Sequence, residues 1–566
     1  MAEFIDLAQL LLAGRAAEQP VALAADGVLG FAAFAAEVAR WRAAFAAQAG
    51  QRFALFFDDS ARFAAALFGA WHAGKCAYLP ADVLPATLAR LRGEVDGFAG
   101  EVPGEPVVTP AATVDAAPWA PLDPAAVALV VYTSGSTGEP GAIPKRLGQL
   151  DAEVAALERG FGPRLGDAAV LASVSHQHIY GLLFRVLWPL AAGRRFAAGR
   201  LAFPEDIAAA LAVAGPCALV ASPAHLKRLP AQLPWAAGRA SLRAVFSSGG
   251  PLPDEALPDC RALLGRAPIE VYGSSETGGV AWRQRSDDAA LAWRPLPGVA
   301  VRVADGVLEV RSPHLFESDW QATADRAEAR GDGFALLGRA DRIVKIEEKR
   351  VSLDALEQAL RATGLVQEAR VLALPGARTL LAVAAVPSEA GWALHDGDGR
   401  RALSQRLRTA LASVAEAAVL PRRWRYVWAL PANSQGKTTV AALQALFDPR
   451  RPVARLRAHG PAAAVLEIEV AASSPYFDGH FAVAPILPGV AQLDWAIRLG
   501  RELFALPPHF LRMEAVKFQQ VIVPGTVVTL ELTLKSPSAA ERVLGFKLSS
   551  AAGPHAGGRI VFGDAP

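Results

Sequence analysis

Short apolar runs ending in glycine or small polar residues alternate with longer Ala/Leu/Arg stretches over residues 1–340. The runs RFALFF (52–57), AAVALVVY (125–132), AVLASV (169–174), CALVAS (217–222), LRAVFSSGG (242–250) and IEVYG (269–273) have the length and composition of buried strands. Strands alternating with helical stretches predict a large layered α/β domain, with ligands expected at the strand ends. From 341 to 447 the pattern predicts a small α+β unit: an amphipathic helix near 353–363, then strands near 369–373 and 380–386. A Pro/Arg-rich stretch, DPRRPVARLRAHGP (448–461), reads as a linker. Residues 462–566 predict a third unit of one long apolar helix (490–505) and the strands AVLEIEV, VVTLELTL, RVLGFKLSS and GRIVFG.

Composition narrows the function classes. Of 566 residues 52% are hydrophobic, but alanine carries much of that share and no run of about 18 strongly apolar residues occurs, so no membrane span is expected. The N-terminus is acidic where an export signal is basic. A formal net charge of +2 argues for no nucleic-acid partner. Cys76, Cys217 and Cys260 are widely spaced, without metal-ligand pattern, as expected of buried thiols in the cytoplasm.

The most informative segment is VYTSGSTGEPGAIPK (131–145). Thr133, Ser134, Gly135, Ser136, Thr137 and Gly138 offer backbone N–H groups and hydroxyls to a polyphosphate, and Lys145 adds positive charge. It is not the kinase-type loop, because no Gly-Lys-Ser/Thr follows the second glycine.

With HQHIYGL (176–182), SSGGPLP (247–253), YGSSETG (272–278), RGDG (330–333) leading into GRADRIVK (338–345), and LPANSQGK (430–437), this segment resembles the adenylate-forming superfamily of acyl-CoA and aryl-CoA ligases. The resemblance implies ATP and Mg²⁺ as cofactors and a small-molecule carboxylic acid as substrate, activated as an acyl-adenylate. It places Gly249, Tyr272, Gly273 and Ser275 around the nucleotide, with Tyr272 flat against adenine. Glu276 would hold the metal, Asp332 the ribose hydroxyls, and Arg339 the ribose or phosphate. His178 would stand on the wall between the acyl pocket and the nucleotide; Tyr180, Gly181, Ser222 to Leu226 and Gly279 to Trp282 are candidate pocket lining. Lys437 would bridge the carboxylate and the α-phosphate, and Asp341 would be the hinge of a mobile small domain. In KIEEKR (345–350) Glu348 occupies a position where most of the family has glycine, a departure that bears on passage of a pantetheine arm.

The segment PYFDGHFAVAPILPGVAQLDWA (475–496) resembles hot-dog-fold 3-hydroxyacyl-ACP dehydratases. The resemblance implies His480 as base, Asp494 as the acid that positions or protonates the departing hydroxyl, and Gly489 opening a helix whose N–H groups polarise the thioester. The apolar helix suggests a largely buried Asp494 with a raised pKa. In the dehydratases this segment resembles, histidine and acid come from opposite protomers, which implies a homodimer through residues 462–566.

These readings imply a bifunctional enzyme, a ligase delivering an aryl or fatty acid to the phosphopantetheine thiol of acyl carrier protein or CoA, fused to a dehydratase, as in aryl polyene pathways. Alternatives are a ligase whose hot-dog unit only dimerises or docks a carrier, a thioesterase, and a carrier-binding scaffold. The arginines Arg450, Arg451, Arg455 and Arg457 are candidates for docking an acidic carrier.

Overall fold

The computed structural model describes residues 3–25, 27–113, 117–133, 141–227, 229–285, 292–339, 342–346, 349–374, 380–412, 414–415, 419–433, 438–478, 484–538 and 541–563. Contacts divide the chain into two compact units, Met1–Asp341 with Ala432–Lys437, and Arg342–Pro431 with Thr438–Pro566.

In the first unit two mixed sheets carry the layered α/β architecture. The nine-stranded sheet has a parallel centre, in which Cys217–Ala221 lies between Ala169–Ala172 and Leu242–Ser247. Every residue of Cys217–Ala221 is buried, as a parallel strand covered on both faces requires. At one side Ile269–Ser274 turns back into the antiparallel strand Gly278–Gln284. The six-stranded sheet ends in another antiparallel pair, Val127–Thr133 with Gly141–Arg146, which flanks the glycine-rich sequence 134–140. Helix Ser60–His72 is buried along most of its length, and Asp59 caps it by accepting from the N–H groups of Ala61 and Arg62 at 2.8 and 2.9 Å. A separate antiparallel sheet of Ala300–Ala304, Val307–Arg311, Gln321–Arg330 and Gly333–Arg339 joins this unit. Its inner residues Leu308, Val310, Ala327 and Phe334 share a core with Val280 and Ala281, so the small sheet is anchored to the large one.

The second unit begins with a two-stranded hairpin, Ile343–Ile346 with Lys349–Ser352. Helix Leu353–Ala362 then packs through Leu356 and Leu360 on the sheet of Val366–Leu374, Leu380–Pro387 and Arg423–Tyr426. Glu357, 4% exposed on that helix, is matched by Arg342 and Arg370 and accepts from the N–H of Val371 at 2.8 Å, which satisfies its burial.

The rest of the unit is an α+β hot-dog domain. Helix Gly489–Leu503 buries Ala491, Trp495, Ala496 and Leu499 against Leu466, Ile468, Leu530, Phe546 and Ile560 of a six-stranded antiparallel sheet. One edge of that sheet corrects an expectation: within the stretch read as a linker, Val453–His459 is a strand, pairing from Val453↔Glu469 to His459↔Ala464. Its small and apolar residues alternate with arginines, an edge-strand pattern that the flanking prolines and charges disguise. The opposite edge is the ten-residue strand His509–Phe518, on which Phe510, Met513 and Phe518 are about half exposed.

Among the described residues no helix is long and apolar enough to cross a membrane. Cys76, Cys217 and Cys260 are free thiols, the last two buried.

Candidate active sites

The strand ends of the first unit gather the ligase-type residues. Gly249 follows Leu242–Ser247 with φ +88°, a left-handed position that favours glycine. Ser275, Glu276 and Thr277 form the turn between Ile269–Ser274 and Gly278–Gln284. Buried Thr277 ties the turn, its hydroxyl 3.1 Å from both the N–H and the Oγ of Ser274. Gly273 allows the turn to close, since a Cβ there would stand 2.3 Å from the Gly278 carbonyl oxygen. The side chain of Glu276 is thereby left exposed at the tip.

Lys145 acts from behind this turn. It is 2% exposed, and its Nζ donates to the backbone oxygen of Glu276 at 3.1 Å. Burial lowers its pKa, opposed by the carboxylates of Glu153 and Glu276. Glu153, a residue not singled out from the sequence, is 4% exposed and accepts from the N–H of Gly279 at 2.5 Å. It lies on the buried side of helix Leu147–Leu165, and an acid at a core position of an amphipathic helix is the signal that would have found it. Lys145 and Glu153 thus clamp the turn that carries Glu276.

The residues expected to hold the nucleoside are not all brought together. The Tyr272 hydroxyl donates to Asp325 Oδ2 at 2.6 Å, and its ring lies beside Trp293 and Phe334. Burial, then the Asp325 charge, pushes the phenol pKa well up. Asp325 and Arg339 are direct cross-strand partners, so their side chains share one face of the small sheet. Asp332 is exposed in the turn at the far end of that hairpin. Gly333–Arg339 has seven residues, which separates Asp332 from Arg339 by about 20 Å. The fold therefore brings Asp325, not Asp332, to Tyr272 and Arg339. The signal was register: Asp325 meets Arg339 only once the hairpin is paired.

His178 precedes the short helix Ile179–Gly181, and its carbonyl accepts from the N–H of Leu182 at 2.7 Å. Tyr180 donates to the Ala221 carbonyl at 3.2 Å, bringing this segment to the strand end before Ser222. Behind it the rings of Phe184, Phe246, Phe161 and Trp282 stack edge to face, with centroids 5.2 to 5.6 Å apart. Candidate lining residues Tyr180, Ser222 and Trp282 thus border one aromatic wall. Ser134, Gly135, Ser136, Thr137, Gly138, Asp341, Glu348, Lys437 and His480 lie outside the described residues, as does the side chain of Thr133.

In the hot-dog domain Gly489 begins the long helix, packed so tightly under Phe518 that a Cβ would stand 2.7 Å from its ring. Asp494 is not largely buried, because its side chain is 45% exposed. The polar side chain this helix buries is Gln492, 3% exposed, whose Nε2 donates to the Leu487 carbonyl at 3.2 Å. Helical periodicity explains the difference, since 491, 492, 495, 496 and 499 face the core and 494 lies off that stripe. Asp494 instead accepts from the Tyr476 hydroxyl at 3.4 Å and sits 3.6 Å from Arg498.

Comparison with known proteins matches both halves. Residues 91–314 fit the AMP-binding enzyme family and residues 457–559 the ApeI-like dehydratase family. A 4-coumarate--CoA ligase from Rhodobacter capsulatus is 34% identical over 313 residues, 54% of this chain and 74% of the relative. The bifunctional enzyme LpxC/FabZ of Bacteroides thetaiotaomicron is 30% identical over 76 residues, 12% of this chain and 16% of the relative. Among solved structures, ATP-bound MatB from Rhodopseudomonas palustris shares the fold with a TM-score of 0.64 at 18% identity, over 79% of this chain and 99% of that one. The chain belongs to the AMP-binding enzyme family, as a ligase that carries an ApeI-like dehydratase domain at its other end.

Proposed function

We propose that the chain activates an aromatic carboxylic acid with ATP and passes it to a phosphopantetheine thiol of acyl carrier protein or CoA. Its hot-dog half then dehydrates 3-hydroxyacyl-ACP intermediates to 2-enoyl-ACP, as in an aryl polyene pathway. The observation that carries this reading is that one chain joins an AMP-binding ligase to a dehydratase-family domain.

In the first step a carboxylate oxygen attacks the α-phosphorus and the bond to the β-phosphate oxygen breaks, releasing pyrophosphate. Tyr272, Asp325 and Arg339 support a nucleoside-binding role: an aromatic face, a carboxylate that can accept from ribose hydroxyls, and a cation lie on adjoining surfaces. Among the described residues no group of three or more His, Cys, Asp or Glu side chains could hold a metal ion. That fits Mg²⁺, which needs only one or two carboxylates plus the phosphates, and exposed Glu276 is the carboxylate offered. Bound Mg²⁺ would neutralise charge on the phosphate oxygens. Lys437 bridges acid and nucleotide, and His178 separates acid from nucleotide. The aromatic wall behind Tyr180, together with a relative whose name specifies 4-coumarate, favours a compact aromatic acid over a long alkyl one. A thiolate then attacks the acyl carbon and AMP leaves.

In the second half His480 takes the α-proton and returns it to the departing hydroxyl, which leaves as water. Asp494, held by Tyr476 and Arg498, orients that hydroxyl as an acceptor. Its partial exposure in a single protomer suits a site completed by a second copy, and the edge strand His509–Phe518, with Phe510, Met513 and Phe518 half exposed, offers the surface for a homodimer.

Pyrophosphate release across a panel of hydroxybenzoic, cinnamic and fatty acids tests the first half. Turnover confined to aromatic acids is expected, and preference for long alkyl acids would overturn the aryl reading. For the second half, Asp494→Asn should cut enoyl-ACP formation by about 100-fold with adenylation intact. Unchanged dehydration would remove Asp494 from the mechanism.

A further inference from the structure

On helix Gly489–Leu503 the residues Trp495, Arg498 and Glu502 recur at helical spacing along one face. Each meets the segment that arrives from the small subdomain. Trp495 Nε1 donates to the Arg450 carbonyl at 3.2 Å, Arg498 lies 3.8 Å from Asp448, and Glu502 pairs with Arg451 at 2.7 Å. The connector therefore runs beside Asp494, to which Arg498 also reaches.

Behind the connector stands the edge strand Arg423–Tyr426. Trp424 and Tyr426 are buried in the subdomain core, so Arg423 and Arg425 share the opposite face. Arg425 donates to the Leu446 carbonyl at 2.8 Å and Arg400 to that of Trp424 at 2.6 Å. Arg423 and Arg450 are exposed. Burial, then the nearby charges of Arg400, Arg451 and Arg423, holds the Arg425 pKa down to about 10. The positive field of Arg450 extends as far as Tyr476, the donor to Asp494. Among the described ion pairs none takes Arg400, Arg423, Arg425 or Arg450.

The other two arginines expected to dock a carrier are spent internally. Arg457 pairs with Asp396 at 2.6 Å and Glu467 at 3.1 Å, and Arg455 lies 3.5 Å over the Trp392 ring and 3.3 Å from Asp396. Burial would raise the Asp396 pKa, but hydrogen bonds from Arg455, His395 and Arg457 hold it at about 2. These contacts fasten the hot-dog edge strand to the subdomain helix Glu389–Leu411.

We infer that the arginine face formed by Arg400, Arg423, Arg425 and Arg450 docks a small acidic carrier protein and lays its thioester-bearing arm toward Asp494. The surface is shared, because the ligase subdomain supplies three of its arginines and the connector the fourth. It rests on reading the hot-dog half as acting on carrier-borne thioesters. Rim charges of this kind govern capture of a charged partner more than turnover once bound.

The test uses the full-length chain with Arg423→Glu and Arg450→Glu together, folding checked by circular dichroism, and Arg423→Gln with Arg450→Gln as the milder pair. Dehydration is measured on a 3-hydroxyacyl group carried by phosphopantetheinylated bacterial acyl carrier protein and on the same group as an N-acetylcysteamine thioester. The ratio of kcat/KM on carrier to that on free thioester should fall about tenfold in the glutamate pair, and less in the glutamine pair. An unchanged ratio overturns the docking surface. Should the wild type dehydrate neither substrate, the dehydratase reading fails by itself. Direct binding of the carrier, lost in the glutamate pair or retained, then decides the surface.

Discussion

The cluster of Tyr272, Asp325 and Arg339 and the Asp494 carboxylate of the hot-dog helix are built on opposite plans. Tyr272, Asp325 and Arg339 come from strands of two sheets that share a core, and each is placed by pairing or packing within one chain. Asp494 hangs from one helix, with its side chain 45% exposed and two polar neighbours on one side. The first arrangement is preorganised by its own fold, so its geometry survives without a partner. The second stands partly open to solvent. What separates them is how many elements converge on the polar group, not how apolar the surrounding sequence is.

The largest loss is expected at Asp325. Asp325→Ala should lower kcat/KM for ATP by roughly 100-fold, because it removes a carboxylate acceptor and releases Tyr272. Asp332→Ala, in the exposed turn, should stay within about twofold. Pyrophosphate exchange checks both, and the reverse ranking would return the ribose to Asp332.

The next test asks whether the hot-dog site is completed by a second copy. Phe510→Glu with Met513→Glu places two charges on the exposed edge strand. Light scattering should show a shift from dimer to monomer. Dehydration should fall at least tenfold while adenylation stays within about twofold. A monomeric variant that still dehydrates would make Asp494 part of a self-sufficient site.

A smaller effect is expected at Asp151, which anchors the N-terminal turn by accepting from the N–H groups of Leu7 and Ala8. Burial raises its pKa from 3.8 to about 6, against the Leu7 hydrogen bond and with help from the Asp6 charge. The folded state thus favours the protonated form. That contribution is fully present below about pH 4 and is lost as pH rises through about 6. Wild-type Tm should therefore drop by a few degrees more between pH 4 and 7 than that of Asp151→Asn, measured by differential scanning fluorimetry.

What was legible in the amino-acid pattern follows from burial on two faces. CALVA and LRAVFS read as strands because helices cover both sides and every inward position must be apolar. Val453–His459 was not legible, since an edge strand beside arginine-rich surface has the composition of a connector. The turn carrying Glu276 is visible from its neighbours along the chain, but the meeting of Asp325 with Arg339 is not. Asp325 meets Arg339 only across a hairpin, and the nearby RGDG segment draws attention to Asp332, at the far end of that hairpin. Asp494 was placed correctly on its helix and given the wrong depth. Its neighbours are apolar, yet the core-facing stripe passes through Gln492 and Trp495 instead.

The seam along Trp495, Arg498 and Glu502 bears on how this gene can be cut and recombined. A fragment begun at residue 462 would omit Val453–His459 and leave one edge of Ala463–Glu469 unpaired, an invitation to aggregation. The same cut would strip the indole of Trp495 of its carbonyl partner and Glu502 of its arginine. The dehydratase domain is therefore no detachable cassette at that boundary. Any transplant into another assembly line has to begin no later than Asp448, carrying a strip of its neighbour's hem with it.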